Sequence, residues 1–203
     1  INSPDVTISD ASEMQLLENI EDSALEMERI LKNLLDFARL ENGLIHLKKD
    51  WCDVEDIFGT AYQKALKQHP REDMTFRFHV DSPPIKGDFS LLEQVMLNLF
   101  DNALKYSKAG EIKVNAVKRG ANLLITVSNP SDIDRSELSN IFDKFYRAEI
   151  SAKIKGSGLG LSIIKEIIQA HKGSINATKH YGEFVLTITL PINSNDSKMN
   201  IEG

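Results

Sequence analysis

Between residues 10 and 41, apolar positions recur in alternating steps of three and four: Leu17, Ile20, Ala24, Met27, Leu31, Leu34 and Ala38. That heptad seam predicts one long helix that packs against other helices. Asp10 and Glu13 form a capping box at its start, and Gly43 stands just past its end. A short extended piece (44–49), a helix (53–67) and an alternating strand (74–80) follow, closed by the turn Ser82-Pro83-Pro84. Asp88 is an N-cap candidate for a second helix with an apolar stripe of Leu91, Leu92, Val95, Met96, Leu99 and Ala103. Residues 111–118 and 122–128 read as a hairpin around Arg119-Gly120-Ala121, and 134–141 as a short helix. An amphipathic helix ends near His171, and a second hairpin (174–179 and 184–190) turns near Tyr181-Gly182. Helices mixed with antiparallel strands predict an α/β sandwich, one sheet with helices over one face.

The polar positions of the second helix change the picture. Asn98, Asn102 and Lys105 recur at i, i+4 and i+7, so they stack on one face of an otherwise apolar helix. A helix lining a phosphate and metal site needs such a row, because an amide oxygen is a hard ligand for Mg²⁺ and Lys pairs with phosphate. Further on, Lys155-Gly156-Ser157-Gly158-Leu159-Gly160-Leu161 leads directly into the helix that ends near His171. Glycines allow backbone to approach a phosphate closely, and the helix N-terminus offers free N–H groups. The spacing fits neither the Rossmann nor the Walker pattern. Between the two motifs lies Ile141-Phe142-Asp143-Lys144-Phe145-Tyr146-Arg147.

Composition sets the outer bounds. At 203 residues, 41% hydrophobic and 27% charged, the chain has the make-up of a soluble globular domain with room for an appendage. No apolar run is long enough to span a membrane, and the polar opening Ile1-Asn2-Ser3-Pro4-Asp5 is no signal peptide and looks cut from something longer. Cys52 is the sole cysteine, which excludes an internal disulfide and suits a reducing cytosol. A net charge of −6 without a basic stripe argues against nucleic-acid binding.

Taken in order, these motifs resemble those of the sensor histidine kinases of two-component signalling. Residues 98–106 look like the N box of that family, 142–147 like its F box and 156–161 like its G2 box. Leu47-Lys48-Lys49-Asp50-Trp51 is similar to the potassium-responsive Kdp type of sensor kinase. The resemblance implies the α/β sandwich of the histidine kinase, Hsp90 and gyrase ATPases, a mixed and mostly antiparallel sheet covered on one face by helices. It divides the chain into a disordered start (1–9), the second helix of a dimerisation hairpin (10–43, first helix absent), an ATP-binding catalytic domain (44–192) and a disordered tail (193–203). It implies ATP and Mg²⁺ as cofactors, with Asn102 as metal ligand and Asn98 orienting phosphates and metal-bound water. Lys105 would neutralise phosphate charge, Tyr106 would sit near base and sugar, and Arg147 would reach the transferred phosphoryl group. Lys153 and Lys155 would close over the phosphates, and Gly156, Gly158, Leu159 and Gly160 would form the phosphate loop. The implied partners are a response regulator receiver domain and a second copy of the chain through the N-terminal helix. The implied place is the cytoplasmic portion of an inner-membrane sensor, attached through parts absent from this chain.

Position 98 separates reactions within that superfamily. Relatives that hydrolyse ATP, and serine kinases of the same fold, carry a glutamate there as general base, which an amide cannot replace. An imidazole acceptor is nucleophilic when neutral and needs mainly positioning, so Asn98 favours transfer to histidine. Two departures stand against the family pattern. Val127-Ser128-Asn129-Pro130-Ser131-Asp132-Ile133 occupies the place of the Asp-x-Gly-x-Gly adenine-binding box and contains no glycine. Either Ser128 or Asn129 stands at the position of its aspartate; Asn129 is preferred because an amide oxygen accepts the same hydrogen bond. Loss of the charged acceptor leaves a degenerate, non-binding dimerisation module as the alternative. None of the histidines (46, 69, 79, 171, 180) lies in a phosphoacceptor motif, so the chain is expected not to autophosphorylate.

Overall fold

The computed structural model describes residues 47–148 and 157–192 throughout, with scattered positions between Met14 and Ala38. Those scattered positions are helical, including every member of the heptad seam, and their side chains are exposed; Ile20 and Met27 are each 63% accessible. The ends of that helix, with Asp10, Glu13 and Gly43, lie outside the described residues, as do the extended piece at 44–46 and the tail.

The rest of the chain runs β1 (Asp50–Cys52), α1 (Val54–Gln68), β2 (Met74–Asp81), β3 (Ile85–Gly87), α2 (Phe89–Tyr106), β4 (Gly110–Arg119) and β5 (Asn122–Pro130). A 3-10 helix (Arg135–Ser139), α3 (Gly160–Ala170), β6 (Ser174–His180) and β7 (Glu183–Pro191) complete it. Five strands form one sheet in the order β2-β4-β5-β7-β6, with β2 parallel to β4 and all other neighbours antiparallel. The expectation of a single sheet needs correction, because β1 and β3 pair as a separate antiparallel ribbon. The sequence at 85–87 is too short for an alternating pattern, so only its partner across space makes it a strand.

Alternation places Ile112, Val114 and Ala116 of β4, Leu123, Ile125 and Val127 of β5, and Leu186, Ile188 and Leu190 of β7 on one buried face. The three helices cover that face with Phe58 and Ala61 of α1, Leu92, Val95, Met96, Leu99 and Phe100 of α2, and four consecutive-turn isoleucines (163, 164, 167, 168) of α3. Phe100 is fully buried and meets Phe76 edge-on with ring centroids 5.4 Å apart, which ties α2 to the edge strand β2. The opposite face of the sheet is partly polar, with the Asn115 amide donating to Thr126 Oγ1 across the β4–β5 pair.

Local signals set the helix ends. Asp53 caps α1 by accepting from the Glu55 N–H at 2.8 Å, and Asp88 caps α2 by accepting from the Leu91 N–H at 3.2 Å. At the other end of α2, Arg71 donates to the terminal carbonyl of Leu104 at 2.8 Å while Asp73 holds its guanidinium. Asp134 and Glu137 form a capping box on the 3-10 helix.

One buried polar contact joins the two helices that matter most. His171, just past the C-terminus of α3, is 6% accessible. Its Nδ1 donates to the Ile167 carbonyl at 2.8 Å, and its Nε2 accepts from the Asp88 N–H at 3.0 Å. Both ring nitrogens are used only by the neutral imidazole in this one tautomer. The end of α3 is thereby fixed to the start of α2, so the helices lie antiparallel. Gly87 makes room for this junction: a Cβ there would stand 2.5 Å from Leu92 Cδ1 and 3.5 Å from the His171 ring.

Burial, the largest cause, holds the His171 imidazole below the usual histidine range; Lys49 adds to this, and the Ile167 carbonyl and Asp88 oppose it. Below about pH 6.5 the unfolded chain therefore binds the proton more readily than the folded one, so stability falls as pH drops through that value and beyond. Urea unfolding at about pH 7.5 and about pH 5.5 is expected to show a larger acid loss for the wild type than for His171→Gln. Equal losses would contradict a neutral buried clamp.

Candidate functional site

The polar row on α2 opens into a cleft between α2, the N-terminus of α3 and the end of β5. The cleft encloses about 130 Å³, against about 10 Å³ for the apolar gap between Phe58, Leu92, Ile125 and Ile168, so of these two the first admits a ligand. Its α2 wall carries Asn98, Asp101, Asn102, Lys105 and Tyr106. The α3 end supplies Ser157, Gly158, Gly160 and Leu161, and the segment after the 3-10 helix supplies Ile141, Tyr146, Arg147 and Ala148. Val127, Asn129, Ser131 and Ile133, with Phe184 and Leu186 of β7, close the far end.

The two ends differ in chemistry. Toward α3 the groups are donors. Nδ2 of Asn98 is buried with no hydrogen-bond partner, an unmet donor that calls for an acceptor on a ligand. The N-terminus of α3 has no side-chain cap and no acidic residue in its first turn, so its N–H groups and positive dipole end remain available to an anion. A Cβ on Gly160 would lie 3.8 and 4.0 Å from the two amide heteroatoms of Asn102, which sets that amide beside the helix terminus. The opposite end is apolar, walled by Leu99, Ala103, Val127, Ile133, Ile141 and Leu186. One ligand with a flat apolar part and an anionic part matches this division.

Lys105 does not stand alone at the cleft wall. Its Nζ lies 2.8 Å from Asp101 Oδ2, and His69 Nε2 approaches Asp101 Oδ1 at 2.6 Å. The i, i+4 pair holds the ammonium in place on the helix, and His69 at the end of α1 braces the carboxylate from behind. Asp101 is a site residue that the motif reading missed, although its place four residues before Lys105 was a visible signal.

Two further segments meet at a strained crossing. Gly158 has φ +71°, and a Cβ there would stand 2.8 Å from the Phe145 carbonyl carbon and 2.9 Å from the Tyr146 carbonyl oxygen. Phe145 itself adopts φ +61°. Glycine is required at 158 by both the backbone angle and the approach of the 145–146 main chain. Tyr146 then lies in the cleft, its hydroxyl donating to Glu137 Oε1 at 3.3 Å.

Of the residues singled out in the sequence, Asn98, Asn102, Lys105, Tyr106, Asn129, Arg147, Gly158 and Gly160 all line the cleft. Leu159 does not; it is 1% accessible and packs into the core as the residue before α3. Lys153, Lys155 and Gly156 lie outside the described residues. Asn129 reaches the cleft and Ser128 does not, since alternation along β5 turns Ser128 the other way. Ser131, Ile133, Ile141, Phe184 and Leu186 were not foreseen as lining, because each looks like an ordinary core or loop residue until the fold assembles them. Among the described residues no cluster of three His, Cys, Asp or Glu could hold a metal. The Asn102 amide fits an ion such as Mg²⁺ that keeps its waters and shares phosphate oxygens.

Residues 87–194 match the family described as histidine kinase-, DNA gyrase B-, and HSP90-like ATPase. The sensor protein KdpD of Escherichia coli strain K12 is 35% identical over 85% of this chain, which spans 20% of that protein. The sensor histidine kinase CusS of the same strain is 30% identical over 94% of the chain, which spans 42% of it. The fold matches that of the Acinetobacter baumannii histidine kinase AdeS with TM-score 0.73 and 22% identity, covering 92% of this chain and 87% of that one. It also matches full-length ShkA, solved in complex with AMPPNP, with TM-score 0.76 and 22% identity over 92% of this chain and 39% of that one.

Gly158→Ala is expected to destabilise the fold by about 1–3 kcal/mol, since it adds left-handed strain to a main-chain clash. Gly120→Ala, at φ +60° with open space around it, should cost only about 1 kcal/mol, the strain alone. Urea melts of both variants check the ordering; equal costs would mean that the 145–158 crossing is not tight.

Proposed function

The chain belongs to the histidine kinase-, DNA gyrase B- and HSP90-like ATPase family, as an ATP-binding catalytic domain of the sensor histidine kinase type, and from that premise we propose how its cleft works. The base of ATP lies in the apolar end beside Asn129 and Tyr106, and the phosphates lie at the donor end. The observation that carries this reading is the unpartnered Asn98 donor in a cleft that the uncapped terminus of α3 also lines. Asn102 would hold Mg²⁺ through its amide oxygen, and the ion would screen phosphate charge. Lys105, steadied by Asp101, supplies a fixed positive charge, and Arg147 reaches the phosphoryl group that leaves.

The reaction proposed for the intact protein is transfer of the γ-phosphoryl of Mg-ATP to a histidine, and from there to an aspartate of a response regulator receiver domain. Asn98 supports transfer over hydrolysis, since an amide does not take a proton from water. The acceptor is not among the described histidines. Both nitrogens of His171 are engaged in the core and His69 is paired with Asp101. His79 and His180 sit on the edge strands β2 and β6. The exposed stripe from Leu17 to Ala38 is proposed as part of the second helix of a dimerisation hairpin, covered by a second copy of the chain. No described helix is long and apolar enough to cross a membrane. A cytoplasmic position on a membrane sensor is proposed from the relatives.

Calorimetric titration with ATP, with and without Mg²⁺, tests the reading. Saturable binding that strengthens with Mg²⁺ and weakens about tenfold or more in Asn102→Ala is expected. No label from γ-labelled ATP should remain on the protein, and light scattering should show dimers growing with concentration. Absence of binding at millimolar ATP would overturn the nucleotide site, and a strict monomer would overturn the dimer.

A further inference from the structure

The base end of the cleft is read by an amide. Asn129 is 5% accessible and sits at the end of β5, where the apolar walls of Val127, Ile133 and Leu186 meet. The other polar side chain there is Ser131, whose Oγ accepts from the Ile133 N–H at 3.2 Å. Among the described residues the one carboxylate that lines the cleft is Asp101 of α2, and it is paired with Lys105 and His69. Asp132, the adjacent acid, points out to an ion pair with Lys108 at 2.6 Å.

A carboxylate at position 129 would offer acceptors only. It would take a hydrogen bond from the exocyclic amino group of a 6-aminopurine and repel the carbonyl oxygen of a 6-oxopurine. An amide offers one acceptor and two donor hydrogens. As placed, Asn129 Nδ2 donates to the Pro130 carbonyl at 3.3 Å, which leaves Oδ1 as an acceptor and the second N–H as a donor. Rotation of the amide is open as well, because the Pro130 carbonyl also accepts from the Lys108 N–H at 3.3 Å and keeps a partner if Asn129 turns away. A 6-oxo group at this position therefore meets an amide with a free N–H and no full charge.

We propose that Asn129 makes this a relaxed purine pocket, which accepts 6-oxopurine nucleoside triphosphates (inosine and guanosine) alongside ATP. The inference rests on the placement of the base proposed above and goes beyond it by naming the residue that sets base choice. Inosine triphosphate is the cleaner probe, because it differs from ATP at the 6-position without the extra 2-amino group of guanosine.

The test is calorimetric titration of the chain with ATP and with inosine triphosphate, in the wild type and in Asn129→Asp. The wild type is expected to bind the two within about tenfold of each other. In Asn129→Asp the preference for ATP over inosine triphosphate should rise about tenfold or more, as its carboxylate meets the 6-oxo group. A wild type that binds ATP and discriminates against inosine triphosphate by about a hundredfold would overturn the proposal alone, with no need of the variant. An unchanged ratio in a folded Asn129→Asp would overturn it too. A wild type that binds neither nucleotide overturns both this inference and the site on which it rests.

Discussion

The antiparallel docking of α3 on α2 is the constraint on which the cleft depends. At one end it is fixed by a neutral, buried histidine that accepts from the N–H of Asp88, the N-cap of α2, and donates to the Ile167 carbonyl in the last turn of α3. At the other end no described side chain caps α3, and the Asn102 amide faces its first residue. The isoleucines between them bury one whole face of α3 against the sheet and α2. A short helix with a free N-terminus would otherwise fray, as short helices do in water. Here packing and the His171 contact hold it, so the unmet donors stay aimed at the cleft rather than being satisfied by rearrangement.

A consequence is a division of labour along α2. Its N-terminal half is structural, with Leu92, Val95 and Met96 in the core and Asp88 at the junction. Its C-terminal half keeps Leu99, Phe100 and Leu104 inside while turning Asn98, Asn102 and Lys105 toward the cleft. Arg71 holds the last carbonyls, and His69 holds Asp101. Both come from the α1–β2 connection, so a segment distant from the motifs positions the charged wall of the site. This is how a helix that is mostly apolar can present a rigid polar row without a dedicated polar face.

Much of this was legible in the sequence, and the exceptions have physical causes. The N-cap of α2, both hairpins and the polar row on α2 follow from local chemistry, and the structure reproduces them within a residue or two. β3 was missed because three residues carry no period, and β1 with it was placed too early. The clamp at His171 leaves no local signal in the sequence, since its partner is a backbone N–H 83 residues away. Asp101 was overlooked although its i+4 partner was named. The apolar lining was beyond reach, as Ile133, Ile141 and Phe184 become a wall only when three separate segments converge. By contrast, Ser128 and Asn129, equivalent in one dimension, take opposite sides of β5, and of the two Asn129 lines the cleft.

The central claim is that nucleotide enters between α2, the terminus of α3 and the end of β5. Backbone and amide side-chain resonances followed during titration with a non-hydrolysable Mg-ATP analogue test it most directly. The account expects the largest shifts at Asn98, Asn102, Asn129, Gly158 and Gly160, with His171 and the outer face of the sheet little changed. Saturating shifts confined to the outer face or to the β1–β3 ribbon, with those five residues unmoved, would contradict it.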